Sequence, residues 1–138
     1  MLKADIYEYD GVGIQCVYKN EEWLVCIKNW KPDNDIDGIH RLEVHLETDE
    51  QFIPVHGRTI LLVADRKDDK FDIDLIEMEI GKVYNVPKNT WFYTIVEKDA
   101  KLAYVQHADT SEANSEYCEM SESELADVKA KAREIWKL

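Results

Sequence analysis

Glu43-Val-His-Leu-Glu-Thr-Asp-Glu-Gln-Phe-Ile-Pro-Val-His-Gly57 sets a histidine and several carboxylates inside a strand-like run. Successive side chains of a strand point to opposite faces, so Glu43 and His45 share one face while Leu42, Val44 and Leu46 share the other. A small β-protein normally gives such a face to apolar core or to solvated filler, and an imidazole beside a carboxylate is neither. Thr48-Asp49 marks a turn, and Gln51-Phe-Ile-Pro-Val resumes the strand pattern. Pro54 has no N–H to give to a ladder and is expected at an edge or a bulge.

Working outward, residues 13–29 hold two short runs rich in β-branched and aromatic residues on either side of Asn20-Glu21, the pattern of an antiparallel hairpin. Residues 30–38, with Pro32 and four Asp or Asn residues, read as an acidic loop. Beyond Gly57, Thr59-Ile-Leu-Leu-Val-Ala is the most apolar run and the candidate central strand. Arg66-Lys-Asp-Asp-Lys forms a charged hairpin tip, and the run from Phe71 alternates apolar and acidic residues, as a strand with one wet face does. Two further strands, Trp91-Phe-Tyr-Thr-Ile-Val and Lys101-Leu-Ala-Tyr-Val-Gln-His, flank another charged tip. Many short strands at close spacing predict an all-β sandwich or barrel.

At Ser121 the period changes. Ser121-Glu-Ser-Glu is a capping box, and Leu125, Val128, Ala132, Ile135 and Trp136 recur at helical spacing. Acids crowd the first turn and Lys129, Lys131, Arg133 and Lys137 the later ones, which suits the helix dipole. The expected organisation is one domain over residues 1–138: a barrel at about 13–107, a polar arm at 108–120 and a C-terminal helix at 121–137.

The chain carries 29 acidic against 17 basic residues, a net charge of −12. Such a surface repels phosphate backbones and anionic lipid, so nucleic acid and membranes are not expected partners, whereas small molecules, cations or sister subunits are. Cys16, Cys26 and Cys118 show no metal spacing, and their odd number argues against a closed disulfide framework. No run has the length of a spanning helix and the N-terminus lacks a signal-peptide core. A cytoplasmic protein is expected.

Two groups of residues resemble the motifs of the cupin superfamily, in particular small single-domain bacterial cupins with degenerate metal-binding motifs. In the first, Glu43 stands at the position of one histidine, His45 at the next, and Glu50 and Gly57 follow at the family's spacing, with Thr48-Asp-Glu-Gln-Phe52 similar to a wording common in such proteins. In the second, Gly81 and Pro87 match, Asn89 replaces a glycine, Phe92 stands where a histidine ligand is usual, and Val96 where an asparagine is. The resemblance spans about residues 23–107. It implies a double-stranded β-helix, the cupin jelly-roll barrel, with its pocket inside and a C-terminal α-helix outside.

The resemblance also implies roles. With the full motif, three histidines and a glutamate bind a divalent metal; here Glu43, His45 and Glu50 are the candidate ligands for Mn, Fe or Zn, and Phe92 cannot coordinate. Without a metal, the same three residues would form a hydrogen-bonded cluster, because buried charges persist when paired. His45, Glu50 and Tyr104 are the candidate catalytic groups, and Glu43, Phe92, Tyr104 and His107 the candidate ligand-binding ones. His40 and His56 read as surface histidines. The expected function is small-molecule binding in a barrel lacking the full metal site, as a homodimer. The alternative is a metal-dependent isomerase, epimerase or lyase acting on a small sugar or organic acid, and a metal-free version would use His45 as the base.

Overall fold

Ten strands and one helix account for the regular structure in this computed structural model, which describes residues 3–138. In chain order the strands are β1 (Ile14–Lys19), β2 (Trp23–Asn29), β3 (Arg41–His45), β4 (Glu50–His56), β5 (Thr59–Lys67), β6 (Lys70–Met78), β7 (Tyr84–Val86), β8 (Trp91–Val96), β9 (Lys101–His107) and β10 (Ser115–Glu119), followed by α1 (Glu122–Trp136). They form two five-stranded sheets, β1-β2-β9-β4-β7 and β10-β3-β8-β5-β6, with every pairing antiparallel. From β2 onward the chain crosses between the sheets at every connection except the β5–β6 hairpin, and this winding is the double-stranded β-helix.

Local chemistry sets the corners. The β5–β6 tip turns through Asp68 and Asp69 at φ 52° and 62°, the left-handed pair that a tight hairpin turn demands. The ladder between β4 and β9 shifts register between Pro54 and His56, so Pro54 sits at a bulge where its missing N–H costs nothing. Gly57 turns the chain at φ +74°, and a Cβ there would lie 2.7 Å from the Ala100 backbone. Gly57→Ala should therefore lower stability by on the order of 2 kcal/mol, read by thermal melting. An unchanged melting temperature would show that this corner yields.

Two apolar layers hold the sheets. Leu24, Phe52, Leu61, Phe92 and Leu102 fill the space between the sheets, while Leu42, Ile60, Leu62 and Ile95 lie on the far face of the second sheet, under Val128, Ala132 and Trp136 of α1. The second sheet is thus covered on both faces, which is why residues 59–62 are buried without alternation. β5 is interior to its sheet, but the middle place belongs to β8. Helix α1 begins as its residues predict, with Ser121 Oγ accepting from Glu124 N at 3.2 Å and Glu124 Oε1 accepting from Ser121 N at 2.8 Å. Ser121→Ala should cost about 1 kcal/mol.

The arm at 108–120 is more ordered than its polar composition implies. Its first half makes a 3-10 turn (Glu112–Asn114), and its second half is β10, which adds to the open edge of β3. Side chains that are hydrophilic by count still alternate, and the unpaired backbone of β3 supplies the missing partner.

Candidate functional site

One end of the space between the sheets is not filled by side chains and forms a cavity of about 220 Å³. β3 contributes Arg41, Glu43 and His45, alternate residues on one face, with Leu42 and Val44 buried on the other. β10 lies alongside in register, pairing Ser115 with His45 and Tyr117 with Glu43, so both of its residues reach the same wall. Glu50 comes from β4, Tyr104 and Gln106 from β9, and Lys28 from β2.

His45 is the centre of this arrangement and is 7% exposed. Its Nδ1 lies 2.7 Å from Ser115 Oγ, and its Nε2 lies 2.8 Å from Glu50 Oε1 and 3.9 Å from Glu43 Oε2. The backbone is pinned as well, because Asn89 N, at φ +65° in the turn before β8, donates to the His45 carbonyl at 2.8 Å. Phe92 lies beneath, its ring centre 5.3 Å from that of the imidazole.

Burial alone would lower the His45 value, but the hydrogen bond and charge of Glu50, with the charge of Glu43, outweigh it and hold the imidazole above its ordinary range. Burial, aided by Glu43, also pushes Glu50 up against the lowering hydrogen bond from His45. Both directions have one cause: two carboxylates and an imidazole confined together keep a proton that separate groups would release. The two groups are coupled, with His45 hydrogen-bonded through Nδ1 to Ser115 Oγ and through Nε2 to Glu50 Oε1.

Lys28 is the second unusual group. It follows Leu24 and Cys26 on the inward face of β2 and is 5% exposed. Burial lowers its ammonium to about 8, against the opposing pull of Glu43 and with a further lowering by Lys31. Its Nζ lies 5.5 Å from the centre of the Tyr93 ring, and among the described residues no carboxylate reaches ion-pair distance. Because 8 is below the 10.5 of an ordinary lysine, the unfolded chain holds more protons between those values, and stability should climb with pH over that window. Lys28→Met should stabilise the fold at pH 7 by on the order of 2 kcal/mol and abolish the climb. Melting curves from neutral to alkaline pH decide this, and a destabilised variant would mean that the ammonium is satisfied.

No protein-family model matches the chain, and no curated protein matches it in sequence. Solved structures do match. A variant of Streptomyces Pac13 solved with uridine has a TM-score of 0.59 at 13% identity, covering 90% of this chain and 98% of that one. Another Pac13 structure, described as that of a nucleoside dehydratase and a β-barrel, gives 0.58 at 12% identity over 84% and 88%. KdgF from Halomonas sp. gives 0.51 at 12% identity over 78% and 91%. The winding of the strands and these likenesses agree. The chain has a cupin fold. A cupin-2 domain protein from Shewanella frigidimarina also matches, at TM-score 0.49 and 16% identity over 70% of this chain and 82% of that one.

Within this cupin barrel, the structure brings together Glu43, His45, Glu50 and Tyr104 and separates two other expected residues from them. Phe92 is 2% exposed and supports His45 from below, so it belongs to the core and not to the cavity wall. His107 is exposed beyond the end of the wall, because strand parity sends Tyr104 and Gln106 inward and residue 107 outward. Tyr104 is held far above the usual phenol range by burial and by the Cys26 thiol, so it keeps its proton.

The expected metal ligands Glu43, His45 and Glu50 all line the cavity, with His45 Nε2 hydrogen-bonded to Glu50 at 2.8 Å and 3.9 Å from Glu43. Phe92 fills the place of another ligand and the Lys28 ammonium shares the cavity. Among the described residues no group of three or more His, Cys, Asp or Glu is arranged to hold a metal ion. Among the described residues, too, no helix is long and apolar enough to cross a membrane.

Sequence reasoning missed Lys28, Arg41, Gln106, Ser115 and Tyr117. Lys28 had a signal in the alternation Leu24, Cys26, Lys28, which places a charge at a core position. Ser115 and Tyr117 had none until β10 was seen to pair with β3.

Proposed function

We propose that the cavity performs a metal-independent acid–base reaction on a small, hydroxylated molecule: an isomerisation, an epimerisation or the elimination of water. The observation that carries this is the buried pair of His45 Nε2 and Glu50 Oε1, 2.8 Å apart and facing a cavity. Glu50 and Glu43 raise the His45 value from that of an ordinary histidine, toward the neutral range in which general acid–base catalysis works best. Glu43, on the same wall, provides a second carboxylate to take a proton from carbon, while the imidazolium gives one to a departing or enolising oxygen. Tyr104 donates a hydrogen bond to that oxygen. The fold also serves Pac13, a nucleoside dehydratase solved with uridine, so elimination within such a barrel has a precedent in architecture.

At about 220 Å³ the cavity is smaller than the ~300–1,000 Å³ of sites for drug-sized ligands, which favours a molecule of sugar size. The test uses chelator-treated protein in D2O with glucose, galactose, glucuronate and galacturonate, followed by NMR. Deuterium appearing next to the carbonyl without added metal supports the reading. Exchange with none of the four, or only after a divalent metal is restored, counts against it.

A further inference from the structure

Lys28, Lys31, Arg41, Glu43, His45 and Glu50 all line the cavity. Along β3 alone, Arg41 and His45 are four residues apart, roughly 13 Å at ~3.3 Å per residue. Lys31 is matched by Asp33 at 3.2 Å, and Arg41 stacks on the Tyr117 ring at 4.1 Å with Asp33 4.0 Å from its Nη2. Among the described residues Lys28 has no such match at ion-pair distance. An ammonium buried to 5% exposure without an anion is costly, and proteins retain one when something else completes it. Two more polar atoms of the wall, Arg41 Nε and Gln106 Oε1, are buried with no hydrogen-bond partner among the described residues.

We infer that the ligand of this cavity is a hydroxylated carboxylate, its carboxylate seated on the Lys28 ammonium and its carbon chain extended toward His45 and Glu50. This rests on the acid–base reading of the same site and names the class of substrate. The carboxylate completes the ion pair that the protein lacks, and the carboxamide of Gln106 faces the hydroxylated chain. The tasks are then separate: Lys28 fixes register, and the His45–Glu50 pair meets the carbon that follows. Lys28 is a binding and positioning residue, with no part in proton transfer.

Calorimetric titration of the full chain with D-glucuronate and with D-glucuronamide tests this, since the two differ only in the charge at one end. The acid should bind at least about tenfold more tightly than the amide, as one charge-assisted contact implies. Lys28→Met, confirmed as folded by its melting curve, should erase that preference, and His107→Gln, outside the cavity, should leave it intact. Equal binding of acid and amide, a preference surviving in Lys28→Met, or no saturable binding of the acid at millimolar concentration would overturn the inference. Failure of the acid–base reading leaves a different trace, in which the acid binds through Lys28 but no deuterium is exchanged.

Discussion

His45→Gln is expected to slow proton exchange on a bound substrate by about 100- to 10,000-fold, the usual contribution of one positioned acid or base. Glutamine keeps a polar side chain against Ser115 and Glu50, so the wall should stand while the titrating group is gone. Glu50→Gln gives the finer measurement. Glu50 is the main influence raising the His45 value, ahead of Glu43, so its neutral replacement lets that value fall. If the imidazolium is the acid, activity is lost as pH rises through the His45 value. The alkaline limb of kcat/KM should then lie above the ordinary histidine range in the natural protein and move to lower pH in Glu50→Gln. A limb that stays in place in Glu50→Gln would assign the proton to another group.

Phe52→Ala should cost about 3–5 kcal/mol of folding stability, the range for removing a buried aromatic ring. Phe52 is 1% exposed, and its ring centre lies 5.8 Å from that of Phe92 and 5.9 Å from that of Tyr104. Those two rings lie under His45 and along the cavity wall, so the damage reaches the site. At ~2–4 °C per kcal/mol for a domain of this size, the melting temperature should fall by roughly 6–20 °C. A fall of only a few degrees would mean that the inner layer closes over the gap and that the floor of the cavity is softer than its packing implies.

These two residues show how differently the sequence announces its parts. Phe52 was legible as part of a strand from the pattern around it, but its burial beside Glu50 on one face was not. His45 was legible as unusual, and Glu43 as its face-mate, because a two-residue period leaves no choice. Glu50 was linked to them by resemblance alone, since a turn intervenes and spacing cannot say how tightly the chain folds back. The residues expected to hold a metal do converge, but convergence is not ligation. The distances and the engaged ring nitrogens describe a proton-sharing pair.

What this sequence determined by itself is what local pattern carries along the chain: the strand periods, the capping box at Ser121, the charged hairpin tip at residues 66–70, and the helical stripe ending in Trp136. Such features depend on neighbours a few residues away, and local sterics and amphipathicity decide them. Only the tertiary structure decided the cavity, because its walls come from strands as distant as β2 and β10. The pairing of β10 with β3 supplied Ser115 to His45 across 70 residues, and the sheets' closure left Lys28 inside without an anion. Burial and charge pairing are properties of the folded whole, and the chemistry of this barrel depends on them.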